Sequence, residues 1–472
     1  MKVVRNYLYN AFYQVFILIV PLVTTPYLAR VLGPKGVGIN AYTNSVIQYF
    51  ILFGSIGVNL YGNRQVAFVR DDRKKLTKTF FEIFFMRVIT VLMSYFVFCI
   101  FVLNIHKYTS FYFAQSISII ASAFDISWFF MGVENFAVTV IRNLLIKIIT
   151  LISIFSFVKN YSDLTIYIII LSLSLLLGNL TLFPSLKKYI VKIKISDLDI
   201  WKHLKPSLIL FVPQIATQIY LVLNKTMLGS LVSVQSAGYF DQSDKVIKMV
   251  LAVVTATGTV MLPHVANAFS KGNISKTKDY LYKSFEFVTA ISFPLMFGLV
   301  AVTSKFVPLF FTNKFIKVIN IMKIESLVIV LIAWGSVIGT QFLLPTNRTK
   351  DYTKSVILGA CINLIANIPL IMLYGASGAA IATVVSELTV TTYQLFSIRK
   401  IIDYKLLFRD LSKYLVASLI MFIVVSILNK LLLISWGMLM IEVIVGFISY
   451  IAIIVLMKVS LIEYVKKIIY SK

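Results

Sequence analysis

The 472-residue sequence contains little that an enzyme or a disulfide-bonded protein would need. Its two cysteines, Cys99 and Cys361, fall in different apolar stretches, so neither a disulfide framework nor a cysteine metal site is indicated. The three histidines, His106, His203 and His264, are scattered among loops and helix ends, and no HExxH motif or Gly-rich phosphate loop accompanies them. With no constellation of catalytic side chains, the sequence predicts a protein that is not an enzyme.

Acidic residues are also scarce, whereas apolar residues dominate. Asp and Glu number 19 against 45 Lys and Arg, 59% of the chain is hydrophobic, and the mean hydropathy is +0.89. A helix needs about 20 apolar residues to cross the hydrocarbon of a membrane. Fourteen such spans can be placed, at residues 7–30, 37–62, 79–103, 111–131, 138–158, 163–186, 205–229, 237–266, 281–302, 320–345, 352–374, 377–398, 410–429 and 434–457. The sequence therefore predicts an all-α integral membrane protein with 14 transmembrane helices and no separate soluble domain.

Basic residues alternate from loop to loop. The N-terminal tail, every second loop and the C-terminal tail, counted with the span ends that flank them, hold 31 Lys and Arg residues, and the other loops hold 8. Cytoplasmic loops carry the excess of Lys and Arg. We therefore expect a multi-pass protein of the bacterial plasma (inner) membrane with both termini cytoplasmic. The net charge of +26 then reflects topology and attraction to anionic membrane lipids, not nucleic-acid binding.

A pattern repeats across the basic segment 187–205. The first and seventh spans each carry two prolines, a basic residue and a glycine in the same order, namely Pro21, Pro26, Arg30 and Gly33, then Pro206, Pro213, Lys225 and Gly229. Because six spans separate the two sets, both helices cross the membrane in the same direction, as in parallel repeats. We expect two parallel six-helix bundles, residues 1–200 and 201–400, followed by two additional transmembrane helices and a cytoplasmic tail in residues 401–472.

Charged side chains within spans are costly in lipid and usually face a protein or water-filled interior. Arg30 and Lys225 occupy equivalent positions in the two repeats, which favours substrate binding in a shared central cavity. The alternative is that each side chain extends to the membrane interface. Two lone acids, Glu387 and Glu442, lie in the twelfth and fourteenth spans. Either can bind a coupling ion or cap a polar contact.

Four charges in the eighth span share one helix face. Asp241, Asp244, Lys245 and Lys248 follow the spacing i, i+3, i+4, i+7. A stripe of four charges facing lipid is implausible, so we expect this face to line a polar cavity, with the lysines contacting substrate and the acids acting in gating or coupling. The alternative is internal pairing of Asp241 with Lys245 and of Asp244 with Lys248.

Another charged group surrounds the short cytoplasmic turn between the fourth and fifth spans. Glu134 and Arg142 flank this turn, and we expect them to close it by a salt bridge. An interfacial pair of that kind is worth at most about 1 kcal/mol, which suits a gate. Asp125 precedes the turn and joins these gate or coupling candidates. Lys147 lies deeper in the fifth span, where we expect it to face the interior and contact substrate.

Several segments resemble one family of transporters. They are Asn6-Tyr7 with 21–33 (PLVTTPYLARVLG), 61–64 (YGNR), 125–134 (DISWFFMGVE) with Arg142 and Lys147, Pro213-Gln214, 225–229 (KTMLG) and 238–242 (GYFDQ). These resemble the Wzx-type oligosaccharide flippases, the polysaccharide-transport branch of the multidrug/oligosaccharidyl-lipid/polysaccharide (MOP) exporter superfamily, over nearly the whole chain. One departure is Asn224, at a position where that family often has an acid.

The resemblance implies a MATE-like fold and a flippase that moves polyprenyl-diphosphate-linked oligosaccharide repeat units to the outer leaflet for capsule, exopolysaccharide or O-antigen synthesis. The expected partners are this lipid-linked oligosaccharide, membrane lipids, a polysaccharide polymerase and a chain-length regulator. No cofactor is expected apart from a coupling ion, Na⁺ or H⁺, whose identity and use the sequence leaves open. Physically, a cationic water-filled cavity would replace the hydration of the diphosphate and sugars, and rocking of the bundles would expose it to each side in turn.

Three other functions are alternatives for a membrane protein of this kind. A flippase for the peptidoglycan lipid precursor also carries a diphosphate, so the charge of the cavity does not separate it from an oligosaccharide flippase. An ion-coupled multidrug exporter of the same superfamily would be expected to have an acidic cavity for cationic drugs, whereas Lys and Arg dominate here. A polysaccharide polymerase would usually need a large outer loop, which the predicted spans do not leave.

Overall fold

The computed structural model is helical throughout most of the chain that it describes. It describes the backbone of residues 2–461 and the side chains of residues 20–461, except those at 136, 195, 212–214, 216, 217, 219–221, 257, 259 and 260. The chain divides into two compact units, residues 1–238 and 239–472. The seventh predicted span therefore belongs to the first unit by its contacts. The division at residue 200, which follows from the sequence repeat, stays a prediction.

The first unit begins with a long broken helix. Its helices are α1 (Lys2–Ser55), α2 (Val58–Val69), α3 (Arg73–Leu103), α4 (Thr109–Ala123), α5 (Ser127–Gly132), α6 (Phe136–Phe157), α7 (Leu164–Leu180), α8 (Phe183–Leu186), α9 (Leu204–Leu231) and the start of α10 (Val234–Thr255), with 3₁₀ turns at Tyr161–Asp163, Ile195–Asp197 and Trp201–His203. Within α1, Gly33 has a φ of 66° and a ψ of −179°, a conformation that glycine adopts without steric cost. This break separates the first predicted span from the second.

The second unit continues α10 and adds a further set of long helices. These are α11 (Thr257–Ser270), α12 (Ile274–Phe310), α13 (Val318–Glu325), α14 (Leu327–Gly335), α15 (Thr349–Tyr374), α16 (Ala376–Ile398), α17 (Tyr404–Leu407), α18 (Leu411–Leu431) and α19 (Trp436–Leu456), with a 3₁₀ turn at Asn313–Phe315. Helix α14 continues as a π-helix, Ser336–Leu343.

The predicted spans coincide with these helices, singly or in consecutive pairs. Within the described residues, ten stretches are long and apolar enough to cross a membrane, and the first of them, Val20–Val69, includes the break in α1 and so covers parts of two predicted spans. Three of the predicted spans have no counterpart among these ten stretches. Helix α10 carries the four charges of the eighth span, α16 is rich in Ala, Ser and Thr, and the side chains of α9 are described only in part. The prediction of an all-α, multi-pass membrane protein is confirmed.

Large apolar side chains are exposed along the helices. On α3, for example, Leu92, Met93, Phe96 and Val97 are each 55–66% exposed. In a water-soluble protein, an apolar patch of this kind would mark an interaction site. In a membrane protein it is the surface that lipid covers.

The interior of the first unit is aromatic around Trp128, which is fully buried with Phe80 and Phe129. Helices α2 and α5 approach closely here, because a Cβ on Gly62 would overlap the indole of Trp128 and one on Gly132 would overlap Val66. This packing fixes the turn between α4 and α5 against α2 and α3.

Candidate functional site

Glycines on three helices bring the backbones of the first unit together at one end. A Cβ placed on Gly38 of α1 would overlap the carbonyl oxygen of Val234, and one on Gly238 of α10 would lie 2.8 Å from the Cα of Gly38. On α9, a Cβ on Gly229 would overlap the ring of Tyr42. A larger residue would push these backbones apart. The second half of α1, the end of α9 and the start of α10 therefore meet at van der Waals distance, and we call this the glycine contact.

Hydroxyl groups continue the contact between α1 and α9 along the helices. Thr226 Oγ1 lies 2.9 Å from Ser45 Oγ and 3.3 Å from the hydroxyl of Tyr49, within hydrogen-bond distance of both. Ser45 is buried, and Thr226 is half-buried. Hydrogen-bonding side chains therefore lie between two membrane-spanning helices of the first unit.

Helices α1, α2 and α9 also enclose a cleft of about 210 Å³. Its lining consists of Gln48, Ile51, Leu52, Ser55, Gly57, Val58, Asn59, Phe211, Gln218 and Val222. Four of these side chains carry an amide or a hydroxyl, five are apolar, and none of the ten is charged. A mixed lining of this kind can hold a ligand by both hydrogen bonds and apolar contacts.

A buried arginine fixes one of the amides of the cleft. Arg87 of α3 is 2% exposed, and its Nη1 donates to Asn59 Oδ1 at 2.7 Å and to the backbone carbonyl of Asp125 at 3.0 Å. Because the amide oxygen of Asn59 accepts from Arg87, its NH₂ group is on the opposite branch of the amide and is left to donate elsewhere. Sequence reasoning missed Arg87, although it is the one basic residue within the third predicted span.

Asp125, a predicted gate or coupling residue, lies in the turn between α4 and α5. Its Oδ2 is 3.5 Å from Nη2 of Arg87, and its Oδ1 accepts from the backbone N–H of Ser127 at 3.0 Å. The carboxylate thus compensates the charge of a buried cation and bonds to the first residue of α5. A role of Asp125 in gating or coupling stays a prediction.

The prediction that Glu134 pairs with Arg142 is wrong. Glu134 Oε1 lies 2.6 Å from Nη1 of Arg70, just after α2, whereas Arg142 Nη1 donates to Asn179 Oδ1 of α7 at 2.8 Å. The reason is the close packing of α2 on α5 through Gly132, which brings the end of α2 to the turn that holds Glu134. Arg142 lies almost two turns into α6 and contacts α7 instead.

The cations predicted to bind substrate lie on different helices. Arg30 is exposed on α1, just before its break, where Nη1 donates to the carbonyl of Pro26 at 3.0 Å. Lys225 is half-buried on α9 beside Thr226, and Lys147 is half-buried on α6. The structure thus places Arg30 and Lys225 in one unit, on α1 and α9, two of the three helices that meet at the glycine contact. Binding of substrate by these three residues stays a prediction.

On α10, the four charges of the stripe pair with each other. Lys245 Nζ lies 2.6 Å from Asp241 Oδ2, and Lys248 Nζ lies 2.8 Å from Asp244 Oδ2. The acids are largely buried, with 8% and 13% exposed side chains, whereas the lysines are 38% and 50% exposed. The internal pairing is therefore present, and the lysine ends remain partly accessible. Glu387, the remaining coupling candidate, is half-buried on α16.

Glu442 was expected to be a lone acid, and the structure corrects this. Its side chain is fully buried, with Oε1 2.5 Å from Nζ of Lys305, which is 5% exposed. Its Oε2 accepts from Asn429 Nδ2 at 2.8 Å, and Asn429 Oδ1 accepts from Ser304 at 2.7 Å. The network joins α12, α18 and α19 in the second unit. Lys305 escaped notice because it lies just beyond the predicted ninth span.

A second buried acid, Glu82 of α3, holds the segment that leads into α9. Its carboxylate lies 2.7 Å from Nζ of Lys202 and 2.9 Å from Nε2 of His203, and it accepts from the backbone N–H of Asp199 at 2.9 Å. Nδ1 of His203 lies 2.7 Å from the hydroxyl of Tyr61. Burial lowers the pKa of His203 although Glu82 opposes the shift, which favours the neutral imidazole. His203 is thus a buried link between α3 and α2.

Comparison with known protein families identifies the chain. The family model described as polysaccharide biosynthesis protein matches residues 3–269, more than half of the 472 residues. The chain belongs to this family.

A protein of similar sequence extends the match over most of the chain. A protein of Escherichia coli (strain K12) named "Putative O-antigen transporter" is 22% identical over 400 residues, which cover 84% of this chain and 96% of that protein. This member of the polysaccharide biosynthesis family therefore matches nearly the whole length of a protein named for O-antigen transport. The resemblance to polysaccharide-transport flippases of the MOP superfamily is confirmed.

Solved structures show the fold of this family member. A structure titled lipid II flippase MurJ, inward closed conformation, has a TM-score of 0.75 at 18% identity, covering 95% of this chain and 98% of that one. An inward-facing multidrug resistance MATE family transporter of the MOP superfamily has a TM-score of 0.60 at 12% identity, covering 83% and 98%. At these identities the likeness shows the fold alone, and the predicted MATE-like fold is confirmed.

Proposed function

We propose that this protein flips polyprenyl-diphosphate-linked oligosaccharide repeat units from the cytoplasmic to the outer leaflet of the bacterial plasma membrane, for capsule, exopolysaccharide or O-antigen synthesis. It acts as a transporter by alternating access and not as an enzyme. The observation that carries the proposal is the similarity over 84% of the chain to a protein named for O-antigen transport. Membership of the polysaccharide biosynthesis family supports it.

The physical problem for such a cargo is its polar head. Sugar hydroxyls and a charged diphosphate lose their hydrogen bonds to water if they enter hydrocarbon, which costs several kcal/mol for each unpaired group. The first unit offers replacement partners within its membrane-spanning helices, in the hydroxyls between α1 and α9 and in the amides of the cleft. The polyprenyl chain is as apolar as the lipid around the protein and can remain there.

The membrane potential can drive this movement. Moving one negative charge outward across 100 mV, inside negative, releases about 2.3 kcal/mol. A diphosphate cargo therefore needs no coupling ion for net outward flipping. Coupling to Na⁺ or H⁺ would add to this driving force, and the buried Asp241 and the half-buried Asp244 and Glu387 are the candidates for it.

The orientation follows from the distribution of basic residues. With 31 Lys and Arg in the tails and alternate loops, counted with the span ends that flank them, against 8 in the other loops counted with Arg30, both termini lie in the cytoplasm. In this orientation the glycine contact and the turn between α9 and α10 lie at the outer face. The pair Arg70–Glu134 and the segment that leads into α9 lie at the cytoplasmic face.

The proposal is tested by deleting the gene in the bacterium that carries it. We expect the lipid-linked repeat unit to accumulate in the cytoplasmic leaflet and surface polysaccharide to disappear, while peptidoglycan synthesis continues. Accumulation of the peptidoglycan precursor with lysis would instead show the precursor flippase. Normal surface polysaccharide with greater sensitivity to cationic drugs would show a multidrug exporter.

A further inference from the structure

The cleft between α1, α2 and α9 has a lining that suits an uncharged sugar. We propose that it is a subsite for one sugar ring of the transported oligosaccharide, which hydrogen-bonds to the amides of Gln48, Asn59 and Gln218. This inference rests on the proposed function, because it concerns the glycan part of the same cargo. The diphosphate is bound elsewhere, by cations.

The chemistry of the lining separates the sugar from the diphosphate. None of the ten lining side chains is charged, whereas phosphate groups are recognised by Arg and Lys. An amide offers two N–H donors and an acceptor oxygen, and a hydroxyl offers one donor and two lone pairs. Neighbouring sugar hydroxyls, which donate and accept at once, match three amides and the Ser55 hydroxyl without any charge.

Asn59 is already oriented for this task. Arg87 occupies its amide oxygen at 2.7 Å, so the two N–H donors of the amide cannot exchange places with the oxygen without losing a charge-assisted hydrogen bond. Arg87 is in turn held by Asp125. A donor fixed before binding loses less conformational freedom when the ligand arrives. Arg87 is thus a positioning residue for the subsite.

The apolar lining residues and the size of the cleft fit a sugar ring as well. Phe211 and Val222 of α9 give an apolar surface, against which the C–H face of a pyranose can pack. The cleft, with a volume of about 210 Å³, is larger than a single water needs. We infer that it admits one ring and that a longer glycan would extend out of it.

A lipid chain is the competing occupant, and the amides oppose it. An isoprenoid or acyl chain would cover Gln48, Asn59 and Gln218 without forming hydrogen bonds, at a cost of about 1–3 kcal/mol for each polar group left unsatisfied. Within the protein, Gln48 Nε2 donates to Asn44 Oδ1 at 3.4 Å and Arg87 donates to the oxygen of Asn59, so the groups left for a ligand are the other N–H and the oxygen of Gln48, the NH₂ of Asn59 and the amide of Gln218. A sugar satisfies these groups and still contacts the apolar residues of the cleft.

The test compares two probes on the purified full-length protein in detergent. The first is undecaprenyl diphosphate without sugar, and the second is undecaprenyl diphosphate that carries the repeat unit, extracted from cells that lack the polymerase. The variants Gln218→Leu and Gln48→Leu each remove an amide while keeping similar volume. Asn143→Leu, the same kind of change on α6, is the control because α6 contributes no residue to the cleft.

We expect each cleft variant to bind the glycosylated probe about tenfold more weakly, the effect of one lost hydrogen bond of about 1.4 kcal/mol. Affinity for the bare diphosphate, and both affinities of Asn143→Leu, should stay unchanged. Equal affinity of the wild type and both cleft variants for the glycosylated probe would show that the cleft does not bind the sugar, and the subsite would be wrong while the flippase proposal stands.

Two other outcomes would also overturn the subsite. If the cleft variants bind both probes more weakly to the same extent, the amides support the fold or the diphosphate and do not bind the sugar. If the wild type binds neither probe, the proposed function fails and the subsite fails with it.

Discussion

Gly38 of α1 lies so close to Val234, which begins α10, that a Cβ on this glycine would overlap the carbonyl oxygen of Val234. Gly238 repeats the relationship from the other side, since its own Cβ would lie 2.8 Å from the Cα of Gly38. The main chains of α1 and α10 therefore touch each other at the end of the first unit that we assign to the outer face of the membrane. Alternating access requires the outer end of the transport pathway to close and open in each cycle, and we expect this contact to form when that end is closed.

Gly38→Val should prevent this contact and reduce export strongly while the protein still reaches the membrane. The physical reason is steric, because valine would need the space of the Val234 carbonyl. Gly437→Val is the matched control, since a Cβ at Gly437 of α19 meets nothing within 4 Å. Export of the repeat unit and the amount of protein in the membrane would both be measured. Normal export by Gly38→Val would show that the contact is dispensable.

Arg87→Met should destabilise the protein severely. Removing one partner of a buried ion pair costs about 3–5 kcal/mol, because the other charge is left uncompensated. The double variant Arg87→Met/Asp125→Leu should recover part of this loss, since neither charge of the pair remains. Thermal unfolding in detergent is the measurement, and Arg70→Met, which breaks an exposed pair, is the control that should unfold normally. A double variant as unstable as the sum of its two single variants would argue against the pairing.

Lys305→Met should loosen the attachment of α18 and α19 to α12. The change leaves the buried carboxylate of Glu442 without its cation, at a similar cost of about 3–5 kcal/mol. Lys305→Met/Glu442→Leu should unfold at a higher temperature than either single variant. Lys283→Met breaks the half-exposed pair with Asp279 and should change stability little. If Lys305→Met behaves like that control, the network does not hold these helices.

Arg30→Ala and Lys225→Ala should each reduce export without lowering the amount of protein in the membrane, because each cation is predicted to hold the diphosphate. Arg30→Lys should keep part of the activity, since the charge survives while the planar guanidinium is lost. The measurement is the rate of export of the lipid-linked repeat unit. Normal rates in both alanine variants would make these residues interfacial anchors.

Local features were predictable from the sequence, and long-range pairs were not. The pairing of Asp241 with Lys245 follows from helical spacing, because residues four apart face each other on any helix. Glu442 and Lys305 are separated by 137 residues, and Glu82 and His203 by 121. Which helix carries the partner of such an acid depends on how the bundle packs. The same reasoning explains why the sequence pairs Glu134 with the nearby Arg142, whereas the partner in the structure is Arg70, just after α2.

The cleft was beyond sequence reasoning for a related physical reason. Gln48, Asn59 and Gln218 lie on three helices and follow no shared spacing, so only the packing of α9 on α1 and α2 reveals that they line one space. The break in α1 was easier, because a glycine followed by Pro34 ends a regular helix. The MATE-like fold was predictable only from the segments that resemble a known family. Hydrophobic periodicity alone predicts membrane helices and does not predict how they are arranged.

Flipping by the purified protein in proteoliposomes tests the central claim most directly. The vesicles would contain undecaprenyl diphosphate carrying the repeat unit, and the fraction of glycan that reaches the other leaflet would be followed by its accessibility to an impermeant sugar oxidant. The account predicts that the wild-type protein moves this lipid faster than protein-free vesicles do, that a membrane potential negative on the side of departure increases the rate, and that Gly38→Val abolishes the gain. A rate equal to that of protein-free vesicles, at any potential, would contradict it.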